Sequence, residues 1–256
     1  MIYDIQRASV WKRISAFLLD VILLSILAVG VAFLLSSVTG YDKRLDAHSA
    51  KIEELQKKYG IDLTVSATEY NALSEEQKAL YDQAIEEFNS DPEMISNYNL
   101  VVNLSLVIVT GSILISFLIL EFFIPLFAFK NGRTVGKKVF GIALIRSNGV
   151  KINGPVLFIR TVLGKYAIET MISAYIIIMF IFGKADFIMI ILLFLIPAVN
   201  VILLLATHNH TPIHDLLSGT VAVDFASQMI FDTEEDLIAY KQKVHSEMVE
   251  NDRERG

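Results

Sequence analysis

Residues Ser15 to Ser37, SAFLLDVILLSILAVGVAFLLSS, are apolar throughout except for a few serines and one carboxylate, Asp20. About 20 such residues in a row span the hydrocarbon of a bilayer as a helix, and only a helix satisfies its own backbone there. The run therefore dictates a transmembrane segment. Lys12 and Arg13 precede it, and Trp11, the chain's single tryptophan, stands where an interfacial anchor belongs. The run is longer than a signal-peptide core and lacks a small-x-small cleavage site, so a retained helix is expected. A carboxylate inside such a run is costly in hydrocarbon, which makes Asp20 a candidate functional residue.

Three more apolar blocks follow, at residues 99–129, 156–182 and 187–206. Together they explain why a chain of 256 residues is 54% hydrophobic with a mean hydropathy of +0.52. A soluble domain would distribute its apolar residues more evenly. The second block is longer than one crossing needs, so a tilt or a kink at Pro125 is expected. The fold class is thus an all-α membrane protein of four transmembrane helices, with a water-exposed helical hairpin insert and a small cytoplasmic β element.

Residues 40–98 form the insert. They hold thirteen acids against six Lys or Arg. Two helices are predicted, Arg44–Tyr59 ended by Gly60, and Ser74–Asn89 opened by a capping box from Ser74 to Gln77. Leu73, Leu80, Ile85 and Phe88 supply an apolar seam against Ile52, Leu55 and Tyr59. The insert reads as a hairpin capping the membrane domain, as a surface for a ligand or partner, or as a disordered segment.

The loop 130–160 is basic and free of acids. It contains two β-branched runs around Ser147-Asn148-Gly149, a hairpin signal. Asn153 is an expected N-cap, with Pro155 suited to the first helical turn. Thr220-Val221-Ala222-Val223 has strand character and is predicted to pair with Ile142–Ile145. From about Thr233 an acidic helix carries Leu237, Ile238, Tyr240, Val244 and Met248 on one side. The domain plan is therefore 1–39, the N-terminus and first span; 40–98, the extracytoplasmic insert; 99–225, spans two to four; and 226–256, a cytoplasmic C-terminal helix.

The positive-inside rule places the basic loop and both termini in the cytoplasm. At 1.5 Å per residue, Asp20 then lies roughly 10 Å and Glu121 roughly 13 Å from the inner surface, with Glu169 at a similar or shallower level. Asp20, Glu121 and Glu169 from three helices form a candidate ion or proton site, because clustered carboxylates can share a proton or hold a monovalent cation. Arg13 and Asp20 are seven apart and share a helix face. Cationic partners at this level are Arg13, Arg133, Arg160 and Lys165, with Arg133 or Arg160 the candidates for Glu121. His214-Asp215 returns to the same surface after the last span.

Three stretches in this order carry a resemblance: Arg13 with Asp20; Gly132-Arg133-Thr134-Val135-Gly136-Lys137-Lys138-Val139-Phe140-Gly141-Ile142; and Ile213-His214-Asp215-Leu216-Leu217-Ser218-Gly219-Thr220. They are similar to the signatures of the RDD family of bacterial membrane proteins and frame residues 8–38 and 99–225. The resemblance implies a multi-pass inner-membrane protein with Arg13, Asp20 and Asp215 as the family's signature residues. Some relatives are linked to cation/proton exchange or solute transport, while others resemble accessory subunits. It implies no enzyme activity.

The residues of the interfacial loop have physical readings of their own. Gly132, Gly136 and Gly141 suit turning or close backbone approach. Lys137 and Lys138 suit anionic head groups, and His214 is a polar interfacial residue. Arg13, Asp20 and Asp215 read either as a structural ion-pair lock or, through Asp20, as part of the ion site. The absence of cysteine excludes disulfides and thiolate metal sites. His208, His210 and His214 are better explained as interfacial residues than as metal ligands. No phosphate loop, nucleophile–base pair, cofactor or nucleic-acid partner is indicated. The expected partners are the lipid bilayer, a second copy or another membrane protein, and a monovalent cation or proton. Two functions follow: a small cation/proton or solute transporter, or an accessory protein that binds a partner through the insert or the C-terminal helix.

Overall fold

A computed structural model describes residues 4–181, 186–208 and 210–255. The chain divides into two compact units, Met1–Ile26 with Leu114–Gly256, and Leu27–Ile113. Two helices, α1 (Val10–Thr39) and α5 (Pro92–Phe117), run through both units.

Among the described residues, four helical stretches are long and apolar enough to cross a membrane: Val10–Thr39, Pro92–Ala128, Gly154–Phe180 and Phe187–Ala206. The last of these, α9, buries none of its residues against the protein. A helix this apolar, with no residue fully buried and most of its large side chains exposed, must be covered by lipid. The protein is an all-α membrane protein with a two-stranded sheet.

In the unit Leu27–Ile113, α1 ends at Gly40, whose left-handed backbone turns the chain into α2 (Tyr41–Tyr59). Gly60 ends α2 in the same conformation. The helix α4 (Glu75–Ser90) starts at the expected capping box, with Ser74 and Gln77 each bonded to the other's backbone. Leu55 and Ala84 are fully buried at the seam, and Lys58 and Tyr59 both reach Glu87. Two details differ from the sequence reading. A short helix α3 (Ala67–Ala72) lies between the expected two, opened by its own Ser66–Glu69 capping box. Residues 92–98, assigned to the insert, are the first turns of α5, because Pro92 fits a first helical position and Asp91 accepts the backbone N–H groups of Glu93 and Met94.

In the other unit, α5 continues into wider π-helical turns at Leu118–Ala128, with Pro125 inside them. Pro125 cannot donate to the turn before it, and the turns around it are widened, with Phe129 N–H bonded to Ile124 O. A short helix α6 (Val135–Val139) leads into β1 (Ile142–Arg146). The third span begins as α7 (Gly154–Phe158), capped by Asn153, widens at Ile159–Met171 and ends as α8 (Ile172–Ile181). The turn expected at Gly183–Asp186 lies outside the described residues except for Asp186, which caps α9. The short helix α10 (Ile213–Ser218), β2 (Thr220–Asp224) and α11 (Glu234–Arg255) complete the chain.

The strands β1 and β2 pair antiparallel, Ile142 opposite Asp224 and Arg146 opposite Thr220, as their composition predicts. Alternation gives each strand two buried faces. Ile142, Leu144 and Ala222 pack with Ala16 and Leu157, while Ala143, Ile145, Val221 and Val223 pack with Ile5 and Ile230. The segment before α1 pairs along the free edge of β2, Ala8 N–H to Ala222 O at 3.1 Å and Asp224 N–H to Gln6 O at 2.8 Å. The hairpin expected at Ser147–Gly149 is reduced to a turn and a short bridge, Ile145 to Lys151, because on the edge of β1 away from β2 the Leu144 N–H is already taken by Asn131 O, and the Lys151 N–H bonds Phe231 O.

Candidate functional site

The polar site is built where α1, the two π-helical segments, α6 and α10 meet. Asp215 is fully buried at its centre. Arg13 from α1 reaches one carboxylate oxygen at 2.9 Å, and Arg160 from the third span reaches the other at 2.8 Å. Thr220, the first residue of β2, donates its hydroxyl to Asp215 at 2.9 Å. Burial alone would raise the Asp215 carboxyl; Arg160, then His214 and Arg13, more than offset it and hold the group below the usual carboxylate range. Strand β2 places Asp215 near Arg13, as its predicted pairing with β1 requires.

Asp20 is held separately. Thr134 donates its hydroxyl at 2.5 Å and the Gly136 backbone N–H donates at 2.7 Å, one to each oxygen. That contact needs glycine: a Cβ on residue 136 would lie 2.2 Å from Ala16 O and 2.8 Å from Asp20 Oδ1. Among the described residues no ion pair joins Asp20 to Arg13, although the two share a helix. Lys137 Nζ stands 4.0 Å from Asp20 and 3.2 Å from Thr134 Oγ1. Burial, partly offset by Glu121, pushes the Lys137 amine down to about 8.

Glu121 pairs with Lys165, not with Arg133 or Arg160. Arg160 is taken by Asp215. Lys130, Asn131 and Gly132 are successive left-handed residues, and after this turn Arg133 bonds Phe129 O and lies over the Phe225 ring. Glu121 Oε2 is buried without a hydrogen-bond partner among the described residues. Glu169 meets His214, whose Nδ1 is 2.9 Å away and whose backbone N–H donates at 3.2 Å. Gly164 makes room for this, since a Cβ there would be 2.8 Å from His214 Cβ. Burial first, and then Arg160, lowers the His214 imidazole below its ordinary value.

The three expected carboxylates thus occupy three separate pairings, Asp20 with Thr134 and Gly136, Glu121 with Lys165, and Glu169 with His214. No group of three potential metal ligands exists among the described residues. Of the loop residues, Gly141 turns the chain with positive φ over open space, Gly132 does so against Ile152 and Leu144, and exposed Lys138 lies over the Phe129 ring. The sequence reading gave Thr134 no role, and it counted Lys165 among the cations at this level without pairing it with Glu121. The available signals were Thr134's place two residues before Gly136 and the level shared by Lys165 and Glu121.

A cavity of about 520 Å³ opens beside this network. Arg13, Asp20, Lys137, Arg160, Lys165 and Glu169 contribute to its wall. Residues of α1 and α9, among them Phe17, Ile196 and Leu204, form its apolar side.

A model of the RDD family matches residues 7–219. The chain belongs to the RDD family. Comparisons with curated proteins and with solved structures returned no match. The matched stretch of this RDD protein holds Arg13, Asp20 and Asp215 and the whole Thr134–Lys137 contact. It runs through residues 40–98, which the three motifs left outside their frame, and it stops before β2 and α11.

Proposed function

We propose that this RDD protein is a small, non-enzymatic carrier of the bacterial inner membrane that moves a cation in exchange for protons, or a small solute. The observation that carries the reading is the cavity lined by ionisable side chains from two spans and the basic loop. Ionisable groups within spanning segments mark ion and solute pathways. The unpartnered Glu121 Oε2 supports it further, as a buried oxygen able to take up a proton without displacing another donor. The charge pattern of the loops supports a cytoplasmic position for the basic loop and both termini. Four spans enclose little volume, which favours assembly with a second copy. The test is cation-dependent proton movement in proteoliposomes, comparing the natural protein with Asp20→Asn and Glu121→Gln. Loss of flux in the variants supports the carrier; equal flux, or none in any of the three, rejects it.

A second reading, an accessory protein holding a partner through its tail, is favoured by α11. Leu237 is buried, but Ile238 and Met248 on the same helix are 54% and 49% exposed. It requires that deleting 233–256 removes a co-purifying membrane protein while the remaining helices stay folded.

A further inference from the structure

The cavity wall is electrostatically one-sided. Four cations face it: Arg13, Lys137, Arg160 and Lys165. The counter-charge of three of them is elsewhere, since Asp215 and Glu121 are buried and do not line the cavity. The two carboxylates on the wall already have donors, Thr134 and Gly136 for Asp20 and His214 for Glu169. Lys137 is the least satisfied cation. Its ammonium carries three N–H donors, yet its close acceptor is the Thr134 hydroxyl at 3.2 Å, and Asp20 is 4.0 Å away. The rest of the wall is apolar, from Phe17 and Leu18 of α1 and Ile196, Val201 and Leu204 of α9, with Phe17 beside Lys165.

We propose that this cavity binds an amphiphilic anion, with its carboxylate or phosphate head on Lys137 and its aliphatic chain along the apolar wall between α1 and α9. A charged head is worth most in a site with little water, and here spare donors await an acceptor. The chain replaces lipid or water on side chains that the protein leaves exposed. The proposal deepens the carrier reading by naming a ligand class. It rests on that reading only for the location of the site, and binding is measured without flux, so the two fail separately.

A second consequence concerns pH. Lys137 is faced by Asp20 on α1, by Glu121 on the second span, and by Arg160 and Lys165 on the third. An anionic head adds a negative charge to this set and stabilises the ammonium. Affinity therefore falls as pH rises through the range where the unliganded amine loses its proton.

The experiment is native mass spectrometry of the full chain from a neutral detergent, with four added probes: dodecanoate, phosphatidylglycerol, dodecyltrimethylammonium and inorganic phosphate. Dodecanoate retained at least tenfold better than dodecyltrimethylammonium or inorganic phosphate supports the proposal and identifies a free amphiphile as the source. Phosphatidylglycerol retained in the same proportion supports it and identifies a membrane lipid. Equal retention of the cationic and anionic amphiphiles overturns it. Lys137→Gln is expected to lower retention of the preferred anion at least tenfold and Lys137→Arg to restore most of it; unchanged retention in Lys137→Gln overturns it. Ile196→Trp, which fills the apolar wall without touching a charge, is expected to lower retention several-fold, and unchanged retention there overturns the placement of the chain.

Discussion

Arg13 and Asp215 are 202 residues apart, and their side chains meet at 2.9 Å with Asp215 fully buried. The contact ties the first turn of the first span to the helix that follows the last. Arg160 closes it from the third span, so one carboxylate joins three parts of the chain. A buried ion pair is costly to desolvate, and removing one partner is costlier still.

Asp215→Asn leaves two buried guanidinium groups facing a neutral acceptor. The expected loss is about 3–5 kcal/mol, the range for a broken buried pair. The control is Asp224→Asn, which breaks the more exposed pair with Lys12 and is expected to cost no more than about 1 kcal/mol. Thermal unfolding in detergent compares the two. Similar shifts would mean that Asp215 does not lock the three parts of the chain together.

Gly136 and Gly141 belong to one motif but differ physically. At Gly136 the backbone conformation is ordinary and space is absent; at Gly141 φ is +66° and space is free. Gly141→Ala is expected to cost about 1–2 kcal/mol, the strain of a left-handed residue. Gly136→Ala must push α6 away from Ala16 O and disrupt both hydrogen bonds to Asp20, and is expected to cost more. The same unfolding assay ranks them, and a larger loss at Gly141 would contradict the close approach of α6 to α1.

Much of the fold was legible because membrane helices and caps are written locally. The Ser15–Ser37 run, the Ser74 and Asn153 caps and the alternating Thr220–Val223 stretch each carry their own signal. Long-range choice among cations was not legible. Arg133 and Arg160 stood at the right level for Glu121, but three left-handed residues re-aim Arg133, and Asp215 claims Arg160. Neither effect has a periodicity to read. Arg13 and Asp20 share a helix face, yet that says nothing of what each meets. The widening around Pro125 and α3 were missed for a related reason: the first depends on how a span accommodates a lost donor, the second is only six residues long.

Lys137 is a cation the folded protein holds at a cost. Its amine lies near 8 when folded and near 10.5 when unfolded. Below pH 8 both states hold the proton and the folded state carries the full penalty. Between about pH 8 and 10.5 the folded protein gives up the proton first, so this group's penalty is relieved as pH rises. Lys137→Met is therefore expected to unfold at the same or a higher temperature than the natural protein at pH 7, while retaining less anionic amphiphile. A clear drop in unfolding temperature at pH 7 would show that its contacts with Asp20 and Glu121 outweigh burial.

His214 gives the opposite end of the pH range. Glu169 accepts from its Nδ1, so that nitrogen carries the hydrogen; burial, and after it Arg160, opposes a second proton on the ring more than Asp215 and Glu169 favour it. The folded imidazole therefore titrates below its ordinary 6.5. Above that value both states are neutral and the contribution to stability is complete. As pH falls, the unfolded chain takes up the proton first, and stability is lost until the folded value is passed. The unfolding temperature is expected to decline between pH 7 and pH 5, and His214→Gln, which keeps a donor near Glu169 but cannot titrate, is expected to decline less steeply. Identical slopes would assign the acid sensitivity to the carboxylates of the network instead.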